Sequence, residues 1–144
     1  MPDTREEFDR INEALDAPLV VVTAADHEEA AGCVVGFHSQ CSIDPPRYAV
    51  WISRANRTYR VALHSSHLGV HLLTPADRRL GEWFGGTTGD EVDTFADLAV
   101  DRGPGGVPLL RDLPVRFVGE RVAMLEGDGD HTCFIVEAVE ARGP

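Results

Sequence analysis

Residues 32–58 read GCVVGFHSQCSIDPPRYAVWISRANRT, a stretch in which two apolar runs flank a short polar segment. Val34 and Val35 predict the end of a buried strand, because β-branched side chains pack well on a pleated surface. Residues 48–52 predict the next strand, and the Pro-Pro pair before it fixes φ and removes two backbone donors. We therefore expect two strands joined by a stiff polar loop at residues 36–42.

The predicted loop carries groups that suit the polar edge of a planar ligand. Its side chains offer hydroxyl, amide and thiol groups, from Ser39, Gln40, Cys41 and Ser42. Gly36 would let a ligand approach the backbone closely. A loop that is already ordered loses less entropy on binding, so this segment is the first candidate for a cofactor site.

A second candidate lies just after residues 48–52, where arginine is most concentrated. The cluster consists of Arg54, Asn56, Arg57, Thr58 and Arg60. It precedes or enters a predicted helix at about residues 58–65, and a helix N-terminus with nearby arginine binds phosphate. The alternative is a solvated charged helix face, because charges at i, i+3 spacing are common on helices.

The remaining pattern predicts one domain over residues 1–144, with an N-terminal helix at about 4–15 and a barrel at about 17–140. The helix is amphipathic, with the capping pattern Thr-x-x-Glu and an apolar face of Phe8, Ile11 and Leu15. The other predicted strands are 19–24, 31–35, 68–73, 114–125 and 131–139, and short helices are expected at 75–80 and 91–98 around a glycine-rich loop at 85–90. We expect a mainly β fold with peripheral helices, in which antiparallel strands close or nearly close a barrel.

Composition excludes several classes of function. All thirteen basic residues are arginine, and the formal net charge is −11, which argues against binding to nucleic acid or to an anionic membrane. The N-terminus has no apolar core, so neither a signal peptide nor a membrane span is expected. Three cysteines without a CxxC pattern are typical of a reducing cytoplasm, although a catalytic role for Cys41 stays open.

The histidines allow two further interpretations. His64, His67 and His71 would share a face on one continuous helix and hold zinc, but the β-type run around His71 ends that helix, so no metal site is expected. His131 begins the last strand after a glycine turn, where Asp130 can orient its imidazole over the barrel rim. The alternative is that His131 is an exposed hairpin residue.

The order of five motifs resembles the flavin reductase-like, FMN-binding split-barrel family. The motifs are PLVVVTA at 18–24, the loop ending SIDPP at 42–46, NRT at 56–58, LGVHLL at 68–73 and GDH at 129–131. They span roughly residues 17–139. The chain departs from the family at residues 34–36 and 38, where serine or threonine is usual, and at His71, where asparagine is usual.

The resemblance implies an antiparallel split β-barrel of Greek-key type, and an NAD(P)H-dependent reductase of FMN or FAD that works as a homodimer. It implies that Val34 to Ser42 contact the flavin, that Asn56, Arg57 and Thr58 take its phosphate, and that His131 docks NADH or NADPH. Trp83 and Phe84 would cover the flavin, anchor their helix or serve a partner subunit. The reduced flavin would supply a monooxygenase partner.

Two other functions stay open at this stage. The chain could be a flavin-binding domain without turnover, which the departures at Val34, Val35, Gly36 and His71 would favour. It could also be a barrel of the same shape that uses the deazaflavin F420 or haem. No Gly-x-Gly-x-x-Gly or Walker-type phosphate loop is present, which argues against a Rossmann-type dinucleotide site.

Overall fold

This computed structural model describes residues 3–86 and 94–144. Its helices are α1 (Thr4–Leu15), α2 (Arg57–Ala62) and α3 (Arg78–Gly86), with single 3₁₀ turns at Pro75–Asp77 and Pro104–Gly106. Its strands are β1 (Val20–Ala25), β2 (Ala30–Val35), β3 (His38–Ser42), β4 (Arg47–Ser53), β5 (His67–Leu72), β6 (Val100–Arg102), β7 (Pro108–Leu110), β8 (Arg116–Leu125) and β9 (His131–Arg142). No helix within these described residues is long and apolar enough to cross a membrane.

The described strands form a seven-stranded antiparallel sheet in the order β2-β1-β5-β8-β9-β4-β3, and β6 pairs with β7 beside it. The large sheet curls until β4 approaches β2 at its other edge. There the amide N–H of Trp51 donates to the carbonyl of Phe37 across 2.9 Å. The mainly antiparallel fold expected from the sequence is confirmed, and a split remains between β2 and the last residues of β4.

The interior of the curl is the main core. It is built from alternate residues of β1, β2, β4, β5 and β9, among them Val22, Val50 and Phe134. Val61 and Ala62 of α2 pack into this same core, so α2 closes one end of the half-barrel. Alternation along a strand puts Val20, Val22 and Ala24 inside, and the intervening residues of β1 face the other way.

The outer face of β1 is also covered, which explains why its whole apolar run is buried. Val21 packs in a second cluster with Phe84 of α3 and with Leu110 and Leu113. The Thr23 hydroxyl donates to the carbonyl of Pro108 across 2.7 Å. The small β6–β7 sheet is therefore fastened to the outside of β1 by a buried hydrogen bond as well as by apolar contacts.

His71 makes the second buried link between the two sheets. Its Nδ1 donates to the carbonyl of Val21 at 3.1 Å, and its Nε2 accepts from the amide of Leu110 at 3.1 Å. The ring has no exposed surface, and desolvation lowers its pKa to about 4. His71 is thus a neutral structural residue at neutral pH, separate from His64 and His67.

Two local predictions were wrong. The segment 36–42 is not a loop, because residues 38–42 form β3 and pair with β4. Residues 94–98 form turns rather than the end of a helix, and residues 87–93, with most of the predicted glycine-rich loop, lie outside the described residues. The pairing of β6 with β7 was not predicted, because two three-residue strands leave little periodicity in a sequence.

Helix α1 has the predicted bounds, but within the described residues none of its side chains is buried. Phe8, Ile11 and Leu15 are 63%, 60% and 70% exposed. The helix is capped by Asp3, whose carboxylate accepts from the amide of Arg5, rather than by the predicted Thr4. A free amphipathic helix of this kind marks a surface for interaction.

Candidate functional site

A small polar cavity of about 90 Å³ lies in the split between β2 and β4. Its lining residues come from β2, β4, the turn before α2 and the start of β9: Cys33, Val34, Val35, Gly36, Phe37, Trp51, Ser53, Asn56 and His131. The split exists because β3 pairs with β4 only as far as the pair His38 and Val50. Beyond the hydrogen bond from the Trp51 amide to Phe37, β4 has no strand partner on this side among the described residues.

A larger apolar groove of about 770 Å³ lies beneath α1. Phe37 and Trp51 line both spaces, so the two spaces adjoin at these side chains, and we call them together the cleft. The other side of the groove is the α1 surface at Phe8 and Asn12. A ligand with one polar edge and a broad apolar body would match this combination.

His131 lies at the cleft with a fixed orientation. It pairs with Ser53 across the β4–β9 ladder, and its ring centroid lies 4.8 Å from that of Phe37. The Asp130 carboxylate accepts a hydrogen bond from Nδ1 of His131 at 2.7 Å, and this hydrogen bond holds the pKa of Asp130 below its ordinary value. Nε2 of His131 is left available for a ligand.

The polar side chains at the turn before α2 differ in their partners and in their exposure. The Asn56 side chain accepts from the amide of Thr58 at 2.9 Å through Oδ1, and Asn56 also lines the cavity. Arg57 pairs with Glu29 at 2.7 Å and donates to the carbonyl of Ala30. The Thr58 hydroxyl is buried beside the thiol of Cys33, so it does not reach a ligand at the surface.

The Cys33 thiol is a buried group in the wall of the cavity. Burial raises its pKa to about 11. The thiol therefore stays protonated at neutral pH and is a poor nucleophile. Cys33 acts as a small apolar wall, which agrees with its place in the interior core.

The structure brings only part of the predicted site together. Val34, Val35, Gly36, Asn56 and His131 line one cavity, and Asp130 contacts His131. Ser39, Gln40, Cys41 and Ser42 do not line it, because they lie on β3 beyond the split, and Cys41 is exposed. Their polar character fits an edge strand at the surface of the sheet.

Trp83 and Phe84 also lie away from this cavity. Phe84 is 2% exposed and belongs to the outer core with Val21. The Trp83 indole donates to the carbonyl of Thr94 at 2.8 Å. Their contacts with the chain correspond to the alternative in which these two rings anchor α3.

Sequence reasoning missed Phe37, Trp51 and Ser53 as cleft residues. Trp51 and Ser53 alternate with the core residues Val50 and Ile52, so period-two alternation along the predicted strand would have placed them on the opposite face. No comparable signal identified Phe37. Among the described residues, no group of three histidine, cysteine or acidic side chains is arranged to hold a metal ion.

Comparisons with known proteins agree with this fold. A protein-family model described as a flavin reductase like domain matches residues 13–144. The chain is 29% identical over 127 residues to a ferric-chelate reductase (NAD(P)H) from Archaeoglobus fulgidus, with 86% of this chain and 74% of that protein covered.

Two solved structures show the same architecture. One is an NADH:FAD oxidoreductase from Streptomyces globisporus in complex with NAD and FAD fragments, with a TM-score of 0.83, 20% identity, and 100% of this chain and 86% of that chain covered. The other is an FMN-binding protein from Thermus thermophilus, with a TM-score of 0.81, 24% identity, and 88% and 70% covered. The predicted split-barrel fold is confirmed.

Proposed function

The chain belongs to the family of flavin reductase like domains, and we propose that it is an NAD(P)H-dependent flavin reductase that acts on FMN or FAD. The observation that carries the proposal is the cleft in the split, where a polar cavity adjoins an apolar groove through Phe37 and Trp51. The flavin and nicotinamide supply the redox chemistry, a hydride transfer between them, and the protein binds and orients both.

The cleft residues fit a flavin. A flavin ring has a polar edge with donors and acceptors and an apolar face. Ser53 supplies a hydroxyl group at the cavity, while Phe37 and Trp51 present aromatic surface. Within the described chain β2 pairs only with β1, so alternate backbone groups of β2 are free to face a ligand.

In this proposal His131 positions the nicotinamide. Asp130 holds Nδ1 of His131, so Nε2 is directed as a hydrogen-bond partner for a carboxamide or phosphate. Phe37 packs against the ring and restricts its rotation. No acid–base pair is needed, because hydride transfer between the two cofactors leaves the protein unchanged.

We propose that Arg57 and the Nδ2 group of Asn56 bind the flavin phosphate, whereas Thr58 does not. Thr58 is buried, and its backbone amide is already bonded to Asn56. Arg57 follows the cavity residue Asn56 in the chain and donates from Nη1 to the carbonyl of Ala30 and from Nη2 to Glu29, whose side chain is half exposed. Exchange of that carboxylate for a phosphate would keep the guanidinium paired.

We propose that the protein forms a homodimer in which a second copy covers α1 and the cleft. The exposed face of Phe8, Ile11 and Leu15 supports this, because apolar side chains of this size rarely stay in water together. Met124 and Leu125 near the tip of the β8–β9 hairpin add further exposed apolar surface. Sedimentation equilibrium that gives the 15.7 kDa monomer mass at micromolar protein would contradict this assembly.

An anaerobic titration tests the function directly. Purified protein is mixed with FMN, then with FAD, and is titrated with NADH and with NADPH while the flavin absorbance is recorded. We expect one nucleotide to bleach the flavin spectrum faster with protein than without it. Bound flavin that neither nucleotide reduces would favour a flavin-binding domain without turnover. The absorbance spectrum of haem or F420 in the purified protein would contradict the proposal and favour a protein that uses that cofactor.

Substitution of His131 by alanine should raise the apparent KM for the nicotinamide nucleotide about tenfold, because one hydrogen bond to that substrate is lost. The KM for flavin should change less than about twofold. Steady-state kinetics with each substrate varied in turn measures both. Asp130→Asn is the matched control and should shift the same KM less; equal small shifts in both KM values would make His131 a structural residue.

Arg57→Met should weaken FMN binding about tenfold and leave riboflavin binding nearly unchanged, since riboflavin lacks the phosphate. Fluorescence titration with each flavin gives the two Kd values. Arg78→Met is the control, because Arg78 makes an exposed pair with Glu82 on α3. An equal loss for FMN and riboflavin would show that Arg57 acts by holding β2 in place.

A further inference from the structure

Arg54 belongs to the arginine cluster predicted from the sequence, but its guanidinium contacts the turn between β8 and β9. Nε of Arg54 donates to the hydroxyl of Thr132 at 2.9 Å, and Nη2 donates to the carbonyl of Gly127 at 2.6 Å. The backbone amide of Arg54 donates to the carbonyl of Asp130 at 3.0 Å. These three hydrogen bonds hold the chain on both sides of His131.

The guanidinium of Arg54 lies on the opposite side of the sheet from the cleft. His131 pairs with Ser53, and both line the cavity. Thr132 pairs with Ile52 instead, and both of these side chains are buried. Because successive side chains of a strand alternate between faces, Thr132 and the guanidinium bonded to it lie on the face opposite His131. Arg54 is not among the described residues that line the cavity, so any effect on a ligand there passes through the turn.

The turn at residues 126–130 is loosely packed. A Cβ added at Gly127 or Gly129 would meet no atom within 4 Å, so side-chain packing does not hold these positions. The Tyr59 hydroxyl reaches Glu126 across 3.5 Å, which is at the limit of a hydrogen bond. The sequence EGDGD also places three carboxylates within five residues, and their repulsion favours an open turn. The charge-assisted hydrogen bonds from Arg54 supply a restraint that packing does not.

The orientation of His131 depends on this turn, because its own side-chain contacts are with exposed groups. The Asp130 side chain is 95% exposed, and Phe37 is 59% exposed. A pair between exposed neighbours contributes little to fixing a conformation. The pKa of Asp130 is lowered mainly by the hydrogen bond from His131 and in smaller part by Arg54, so the carboxylate stays an acceptor. Nδ1 of His131 keeps that acceptor while the backbone of residues 130–131 is held in place.

We propose that Arg54 is a positioning residue for nicotinamide binding, which fixes the β8–β9 turn so that Nε2 of His131 is directed into the cleft. The inference rests on the proposed function, in which His131 docks the nicotinamide. It assigns Arg54 to the nicotinamide and Arg57 to the flavin phosphate. Two arginines three positions apart therefore serve different substrates.

A double-mutant cycle tests this role. Arg54→Gln should raise the apparent KM for the nicotinamide nucleotide about fivefold and the KM for flavin less than about twofold, because His131 is no longer held in its binding orientation. In the His131→Ala protein the same substitution should change the nicotinamide KM by less than about 1.5-fold, since no imidazole is left to position. Equal increases in the two backgrounds would overturn the proposal.

Arg121→Gln is the matched control for loss of stability. Arg121 also donates to two backbone carbonyls, those of Ala62 and Leu63 at the end of α2. Its substitution should reduce resistance to chemical denaturation as Arg54→Gln does, but should leave the nicotinamide KM within about twofold of the unmodified value. An increase in that KM as large as the one for Arg54→Gln would also overturn the proposal.

Two milder variants keep the test informative if Arg54→Gln folds poorly. Arg54→Lys keeps the charge and one donor group, so its nicotinamide KM should lie within about twofold of the unmodified value. Thr132→Val removes the acceptor of Nε and leaves the bond to Gly127, so it should raise the nicotinamide KM about twofold. A Thr132→Val protein with a flavin KM raised more than its nicotinamide KM would contradict the assignment to the nicotinamide.

The imidazole ¹⁵N spectrum of the flavin-free protein separates failure of this inference from failure of the reductase proposal. At about pH 8 the shifts report which ring nitrogen carries the proton, and His131→Ala identifies the resonances of His131. The unmodified protein should show the proton on Nδ1, and Arg54→Gln should move both nitrogens toward the average of the two tautomers, whereas Arg121→Gln should not. Unchanged His131 resonances in Arg54→Gln would overturn the inference even if the protein reduces flavin. Changed resonances without NAD(P)H turnover would place the failure in the reductase proposal.

Discussion

Ser53→Phe should weaken flavin binding by about a hundredfold or more, which is the largest effect expected on function. Ser53 ends β4 and lines the cavity of about 90 Å³ opposite His131. A phenyl ring in place of the hydroxyl would occupy most of that space, and overpacking of a formed pocket costs about 1–3 kcal/mol even when neighbours adjust. The flavin Kd, measured by fluorescence quenching, reports the effect directly.

Two controls separate blocked space from a damaged turn. The Ser53 hydroxyl accepts a hydrogen bond of 3.3 Å from the amide of Ala55, and Ser53→Ala removes the hydroxyl without adding bulk, so its flavin affinity should fall by about tenfold at most. Ser39→Phe places the same ring on β3, away from the cavity, and should leave binding unchanged. A large loss of flavin affinity with Ser39→Phe would indicate that the flavin binds at β3 and would contradict its location in the split.

The residues of the candidate site could be predicted where the hydrophobic pattern of the sequence clearly marks a strand. The motifs at β1, β2, β4 and the start of β9 were strong enough to give the fold and to place Val34, Gly36 and His131 near each other. The polar run at residues 38–42 was assigned to a loop, because exposed edge strands carry the same small polar residues as loops. Residues 38–42 form a strand because they pair with β4, and the pattern within the segment does not reveal that pairing.

The sequence alone could not show that Arg57 and Thr58 have different roles in the proposed phosphate binding. Both lie at the start of α2, and phosphate binding there needs only a donor-rich helix terminus. Their different roles come from the direction of the side chains, since Thr58 turns into the core beside Cys33 and Arg57 reaches Glu29 on another element. His71 is a similar case, because its two hydrogen-bond partners lie 50 and 39 residues away.

Acidification from pH 7.5 to pH 4 should cost about 3 kcal/mol of unfolding free energy through His71 alone. Burial lowers the pKa of His71 from 6.5 to about 4 in the folded state, so the unfolded chain binds the extra proton first. The stabilising contribution is complete above pH 6.5 and is lost as the pH falls toward 4, at about 1.4 kcal/mol for each pKa unit. A proton on Nε2 would also face the amide of Leu110, which then loses its acceptor.

Chemical denaturation at both pH values, at fixed protein concentration, measures this loss, and His71→Asn isolates it. The variant should be less stable at pH 7.5 by about 2 kcal/mol, because the Leu110 amide loses its partner and a cavity remains. It has no titrating ring at position 71, so its further loss at pH 4 should be smaller than that of the unmodified protein by about 3 kcal/mol. Asp26, Asp101 and Asp130, whose pKa values are also lowered, contribute equally in both proteins and cancel in the difference. Equal acid losses in the two proteins would mean that the link between β5, β1 and β7 does not depend on the charge state of His71.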